Sequence, residues 1–481
     1  MTVRVTQTEF YIIDLETRLP FHFGNVEVTE IPKLFLRLEV DVDGTHQTGV
    51  AMGGLIPGWF YKDPEMRLET GYRNMASVFR SAADIANDLD SKPTAFAFWL
   101  ALYERQHEMA DSTNQPDLLS AYGVSLIEQA LIDAVCRAKD VSFSTAVREN
   151  LLGIDLGAVY SELEPYEPAD LLPTEPRRNT AVRHTVGLDD PLTEADITGD
   201  RPDDGLPLTL TEYVHEDGVN RFKIKLSANH EVDAARLGRI DALLTDLGIE
   251  EYRCTVDANE GYDSARQFKH QWEALRTDPN CVDLFDHLLY VEQPLPRDEA
   301  FTPETQDVFT SWYDSPCIII DESDSRIDST GTALSHGYAG TSHKNCKGVF
   351  KGIVNASLIA YYNQIDDDQE YVISAEDLTT VGPLELLQDL VVVATIGADH
   401  VERNGHHYFE GLDAFPEEVQ QRALSEHPDL YRRHESDFTT LRIEDGTVDL
   451  DTIVDAPFGV ASPLDVRQFT PLTQWENSLA N

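Results

Sequence analysis

The chain has 481 residues, is 41% hydrophobic and sets 37 basic against 86 acidic residues, for a formal charge of -49. This length supports a large core in two or three structural units, and the charge disfavours nucleic acid as a partner. No apolar run approaches the roughly 18 to 20 residues of a spanning helix, and the opening MTVRVTQTEF lacks the basic and apolar regions of a leader, so a cytoplasmic protein with no membrane contact is expected.

The acidic residues are spread through every segment instead of forming a tail, which points to adaptation to high salt. Molar salt screens such self-repulsion within about 3 Å. The five cysteines form no CxxC pair and are expected to be reduced, mostly buried thiols.

Residues 1–70 alternate with the period of strands, over 4–13, 34–42 and 48–52. Two stretches rich in Gly, Pro and aromatics, 17–25 and 52–63, are expected to be loops. The period then becomes helical, predicting helices over 68–89, 93–108 and 116–139; in the last, Ile127, Ala130, Leu131, Ala134, Val135 and Ala138 make a wide apolar face. A run rich in Pro, Glu and Asp over 161–179 is a connection.

Beyond it, strand and helix patterns alternate. Strands are predicted over 182–186, 221–226, 252–257, 288–292, 317–321, 341–344, 371–376 and 400–402. Eight strands alternating with helices predict an α/β fold with a TIM-like β/α barrel. An open doubly wound sheet is the alternative, but no Gly-rich turn follows the first strand.

The stretch RFKIKL puts Lys223 and Lys225 on one face of its strand, where two amines would be costly to bury without partners. Polar residues also close the strands that follow: Lys225, Asp257, Glu292, Asp321, Lys344, Glu376 and Glu402 succeed one another at intervals of 23 to 35 residues. Each interval is one strand plus one helix, so all seven would meet at the barrel mouth where such enzymes keep their active sites. Any one of these acids could equally cap the next helix. Three carboxylates on consecutive strands would instead repel one another unless a cation lay between them, and an all-oxygen set suits Mg²⁺. Burial and like charge would favour neutral amines at Lys225 and Lys344, able to act as bases.

The series formed by Lys223 and Lys225, then Asp257, Glu292 and Asp321, then Lys344, resembles the enolase superfamily, most closely its muconate-lactonizing (mandelate racemase/muconate lactonizing enzyme) type. SLIEQALIDAVCRAK and DAPFGV resemble further segments of that family. The resemblance implies an α+β capping domain over 1–150, the barrel over 151–440 and a C-terminal segment over 441–481 that returns to the capping domain. It implies Mg²⁺ on Asp257, Glu292 and Asp321, an acid/base pair in Lys225 and Lys344, and an electrostatic task for Lys223. Phe21, Phe23 and Trp59 on the covering stretches, with Glu376 and Glu402, would contact the substrate.

Phe350 and Lys351 break the family's pattern after the sixth strand and leave Lys347 as a rival to Lys344. The implied reaction removes the proton alpha to a carboxylate of a small molecule through an enediolate, giving racemisation, epimerisation or cycloisomerisation. A sugar-acid dehydratase or an inactive binding protein on the same scaffold are the alternatives, and a homo-oligomer is expected.

Overall fold

The computed structural model describes residues 1–23, 26–63 and 65–479. It opens with three antiparallel strands, β1 (Val3–Phe23), β2 (Val26–Val42) and β3 (Thr45–Gly54), and the late strand Thr470–Pro471 pairs with the outer side of β1. Three helices follow, α1 (Leu68–Asp88), α2 (Ala95–Thr113) and α3 (Asp117–Lys139). β3 lies so close on α3 that a Cβ at Gly49 would stand 1.8 Å from the Ala130 carbonyl oxygen, and one at Gly53 2.0 Å from the Tyr122 hydroxyl. Only glycine permits that approach.

α3 is long and apolar enough to cross a membrane, contrary to the reading that no segment is, yet its apolar stretch is wholly buried. Its apolar residues serve a core held between the sheet and the barrel.

The barrel consists of β4 (Asn179–Val186), β5 (Arg221–Lys225), β6 (Arg253–Asp257), β7 (Leu288–Glu292), β8 (Ile318–Ile320), β9 (Gly340–His343), β10 (Val372–Ala375) and β11 (His400–Arg403). Each strand pairs in parallel with the next, and β11 pairs with β4 to close the ring. The connecting helices include α4 (Leu210–Glu216), α5 (His230–Asp246), α6 (Ala265–Leu275), α7 (Pro303–Ser311), α8 (Ser329–Ser335), α9 (Val349–Ile365) and α10 (Glu385–Ile396). The expected α/β barrel with an antiparallel N-terminal unit is therefore present. After β11, Thr447–Asp449 pairs antiparallel with β4, and the helix Leu472–Ser478 then packs against β1.

Of the expected loop over 17–25, residues 24 and 25 lie outside the described residues, and 17–23 are not a loop. β1 continues to Phe23 and folds back against β2, with an irregularity between Glu16 and Phe21. Pro20 falls within that irregularity, where no ladder donor is needed. Local composition announced a turn, but pairing with β2 decides the conformation. The stretch 52–63 is closer to expectation: β3 ends at Gly54, and one helical turn, Pro57–Phe60, precedes an irregular segment.

Two of the ion pairs that tie the N-terminal unit to the barrel are buried. Arg18 on β1 grips Asp204 at 2.5 and 3.0 Å and donates to the carbonyls of Pro207 and His407 at 3.1 and 2.9 Å. Lys33 on β2 donates to Glu385 of α10 at 2.6 Å and to the Thr379 carbonyl at 2.8 Å.

One-to-one pairing of the 37 basic with the 86 acidic residues would leave a charge of -49 uncompensated. The melting temperature should therefore climb steeply between about 0.1 and 1 M salt, where the screening length falls from about 10 to about 3 Å. Melting curves in a KCl series check this, and a flat dependence would remove the argument for salt adaptation.

Candidate active site

The period of two along β5 turns Phe222 and Ile224 towards the helices and leaves Lys223 and Lys225 for the interior. Lys223 is fully enclosed. Its ammonium meets Glu292 at 2.8 Å, Glu402 at 3.1 Å, Asp257 at 3.2 Å and, closest of all, Glu376. The sequence thus brings four acids from four other strands onto one amine.

Lys225 is a quarter exposed and donates to Asp257 at 2.5 Å. Across the ring, Lys344 donates to Asp321 at 2.6 Å and lies 3.5 Å from Glu376 and 4.0 Å from Glu292. β5 and β9 stand four strands apart in a closed ring of eight, so the two amines enter from opposite sides. Both line a cavity of about 270 Å³, along with Lys223, Asp257, Asp321, Glu402 and Thr185. Its upper wall holds Pro20, Ile56, Trp59, Leu188, Leu378 and Tyr408.

Lys347, the rival to Lys344, is placed elsewhere. It donates to Asp321 Oδ1 at 3.1 Å and to Ser342 Oγ at 3.0 Å from behind the carboxylate, and it is not among the residues lining the cavity. Glu376, expected to contact substrate, also lies below the cavity floor: Lys223, Arg183 and Ser374 occupy its oxygens. Trp59 and Glu402 do line the cavity. Phe21 and Phe23 fall outside the residues whose side chains are described.

The electrostatics correct one expectation, that burial and like charge leave Lys344 neutral. Burial alone would lower Lys223, but Glu292, Glu376, Glu402 and Asp257 hold it well above the ordinary lysine value. Burial likewise opposes charge at Lys344, and Asp321 and Glu376 override it to keep that amine protonated. Among the acids the reverse competition separates individuals. Burial would raise Asp321, yet Lys344 and Lys347 hold it well below the carboxylate range, whereas burial and the neighbouring Glu376 push Glu292 well above it. Glu402 is pushed up to about 7 by burial, with Lys223 opposing.

Arg183, which sequence reasoning missed, completes this layer. From β4 it pairs with Glu376, donates to Ser374 Oγ at 3.0 Å and stacks over Tyr290 at 5.7 Å. The signal was available, because Arg183 shares the inward parity of Thr185, which accepts a place on the cavity wall and donates to Glu402 at 2.7 Å. His406 and His407 pack with His184 and Tyr213 outside this layer, with His407 bonded to Tyr213 at 2.7 Å.

Asp257, Glu292 and Asp321 stand on consecutive strands, all but fully buried, and offer only oxygen donors. As the side chains stand, lysine ammonium groups lie between them, and among the described residues no three His, Cys, Asp or Glu converge as metal ligands. The donor chemistry nevertheless fits a hard divalent cation, and the Lys223 ammonium between Asp257 and Glu292 shows that positive charge is what this position requires.

No family model matches the sequence, and no curated protein matches it. Solved structures do match over nearly the whole chain. A mandelate racemase/muconate lactonizing enzyme from Bordetella bronchiseptica superposes with a TM-score of 0.58 at 14% identity, covering 97% of this chain and 99% of that one. An unknown member of the enolase superfamily from Enterococcus faecalis gives 0.58 at 14% identity, with 98% of each chain covered. The fold is that of the enolase superfamily. An enolase from Bradyrhizobium, solved with magnesium and mandelic acid, shares this fold with a TM-score of 0.57 at 14% identity, covering 98% of this chain and 99% of that one. In this enolase-superfamily fold the cavity lies at the carboxyl ends of the strands, the face barrel enzymes use.

Proposed function

We propose that the protein is a Mg²⁺-dependent isomerase or lyase that removes the proton alpha to a carboxylate of a small molecule. The observation that carries this reading is that Lys225 and Lys344 face one cavity from opposite strands, each against a carboxylate of the Asp257, Glu292 and Asp321 set. Mg²⁺ held by those three acids would compensate the charge that keeps Lys344 protonated and stabilise the enediolate oxygens. A substrate carbon lying between the two amines can lose its proton to one and regain a proton from the other on the opposite face. Lys223 stays an ammonium among its four acids and sets the field near the substrate carboxylate. Glu402 lines the cavity with one oxygen on Thr185 and the other on Lys223, and is placed to hydrogen-bond a substrate group.

Racemisation or epimerisation follows most directly from amines on two faces, and cycloisomerisation shares the same first step. Ile56, Trp59, Leu188, Leu378 and Tyr408 favour an apolar or aromatic substituent beyond the carboxylate over a polyol. The solved structure with magnesium and mandelic acid supports the same choice of metal and substrate class.

The reading is tested by incubating the protein with Mg²⁺ and small chiral carboxylates, mandelate among them, in D₂O at molar salt. Deuterium should enter the alpha position of at least one acid and fail to enter when EDTA removes the metal. Absence of uptake from the whole panel would reject the reading.

A further inference from the structure

The segment 55–63 bears Ile56, Trp59 and Lys62 on the cavity wall, and the Trp59 ring lies 5.5 Å from the Lys344 ammonium. Its back is supported within the N-terminal unit, where Phe60 stacks on Tyr122 at 5.3 Å and the Tyr122 hydroxyl donates to the Gly54 carbonyl at 3.2 Å. Its front is held by the barrel. Arg297, in the loop after β7, donates to the Trp59 carbonyl at 2.7 Å and the Phe60 carbonyl at 3.3 Å. The same guanidinium donates at 3.2 Å to Glu260, in the loop after β6, whose other oxygen pairs with Lys62 at 2.5 Å.

These loops are unusual in their backbone. Asn259, Glu260 and Gln293 all adopt positive φ, of 44°, 67° and 36°, a region that costs a side-chain-bearing residue energy. Surrounding contacts overcome that cost: the Glu260 amide donates to the Gln293 carbonyl at 2.9 Å, and the Arg297 amide donates to Glu260 Oε1 at 3.0 Å. The result aims one carboxylate at both Arg297 and Lys62, and one guanidinium at two consecutive carbonyls of the covering segment. A planar fork suits this arrangement, which a single ammonium cannot reproduce.

We propose that Arg297 is a positioning residue of the active site, with Glu260 as its support: it fixes Trp59 over Lys344 and so holds the covering segment closed. The inference rests on reading this mouth as the active site, but its test needs no turnover. Because the acceptors on the segment are neutral carbonyls, the hold survives salt that screens the more exposed Lys62 pair.

The test compares hydrogen exchange in the full chain at molar salt for the native protein, Arg297→Met and Arg297→Lys. Peptides covering 55–63 should exchange about ten-fold faster in Arg297→Met, as expected when the bonds closing a local segment are lost, and by an intermediate factor in Arg297→Lys. Peptides from the strands β5 to β9, outside the loops that carry Glu260 and Arg297, should be unchanged. Acrylamide quenching of tryptophan emission should rise in Arg297→Met, and the rise should vanish when Trp59→Phe is added.

Unchanged protection of 55–63, or a uniform rise along the whole chain, would overturn the proposal. A quenching increase that persists without Trp59 would do the same. If Arg297→Met does not accumulate as folded protein, Arg297→Lys carries both readouts. Failure of deuterium uptake from every carboxylate would reject the enzymatic reading and leave this result standing, so the two failures are distinguishable.

Discussion

Lys344→Ala is expected to slow alpha-proton exchange from one enantiomer of a substrate acid by roughly 10²- to 10⁴-fold, the range a positioned acid or base contributes. The other enantiomer should still lose its proton to Lys225 and recover a deuteron on the same face, so exchange continues without inversion. Lys225→Ala should show the mirror pattern. This follows from the placement of the two amines on β5 and β9, across the ring from each other. Lys347→Ala is the internal control. Its ammonium supports Asp321 from behind, at 3.1 Å, and should affect both enantiomers equally. NMR of each enantiomer in D₂O reads all three variants, and equal loss for both enantiomers in Lys344→Ala would deny it a face-specific task.

Lys33→Met should destabilise the protein by about 3–5 kcal/mol, because it strands a buried carboxylate. Lys33 and Glu385 are enclosed between the N-terminal sheet and α10, and Glu385 also accepts from the Gly54 amide at 3.2 Å. Burial pushes Glu385 from its ordinary 4.5 up to about 7, with Lys33 opposing. A carboxyl raised in this way contributes stability that is whole below its unfolded value and is lost as pH rises through about 7. Removing Lys33 removes the opposing charge, so the cost should be largest above pH 7 and shrink towards pH 5, where Glu385 can take up a proton. Unfolding curves at several pH values in constant molar salt measure this. Lys33→Met combined with Glu385→Gln should recover most of the loss, and a pH-independent cost would mean that Glu385 is not the group responsible.

The barrel and the lysines and acids at its mouth were legible because their signals are local and periodic. Lys223 and Lys225 share a strand face, and each later acid ends a strand, so chain order alone brings Asp257, Glu292, Asp321 and Lys344 to one mouth. The pairing partners were not legible, and they set the chemistry. Lys344 looked like an amine that burial would neutralise, and only the positions of Asp321 and Glu376 show that it stays charged. Glu376 looked like a substrate contact because it ends its strand, but Arg183, two strands away around the ring, draws it beneath the floor. The stretch 17–25 carried turn residues, yet its described part, 17–23, is strand, since the partner in β2 lies beyond the reach of local composition. Arg297 and Glu260 gave no sign at all, as neither lies on a strand.

The pairing of Thr470–Pro471 with β1 has a consequence for the order of folding. The N-terminal sheet gains its outermost strand from a segment more than four hundred residues later, and the helix behind it is pinned by Trp475 donating to Asp14 at 2.8 Å. While the barrel is still being synthesised, the backbone groups of β1 that await this partner are exposed, an open edge able to pair with another nascent chain. A sheet that precedes the barrel in the chain is thus completed only by a segment that follows it.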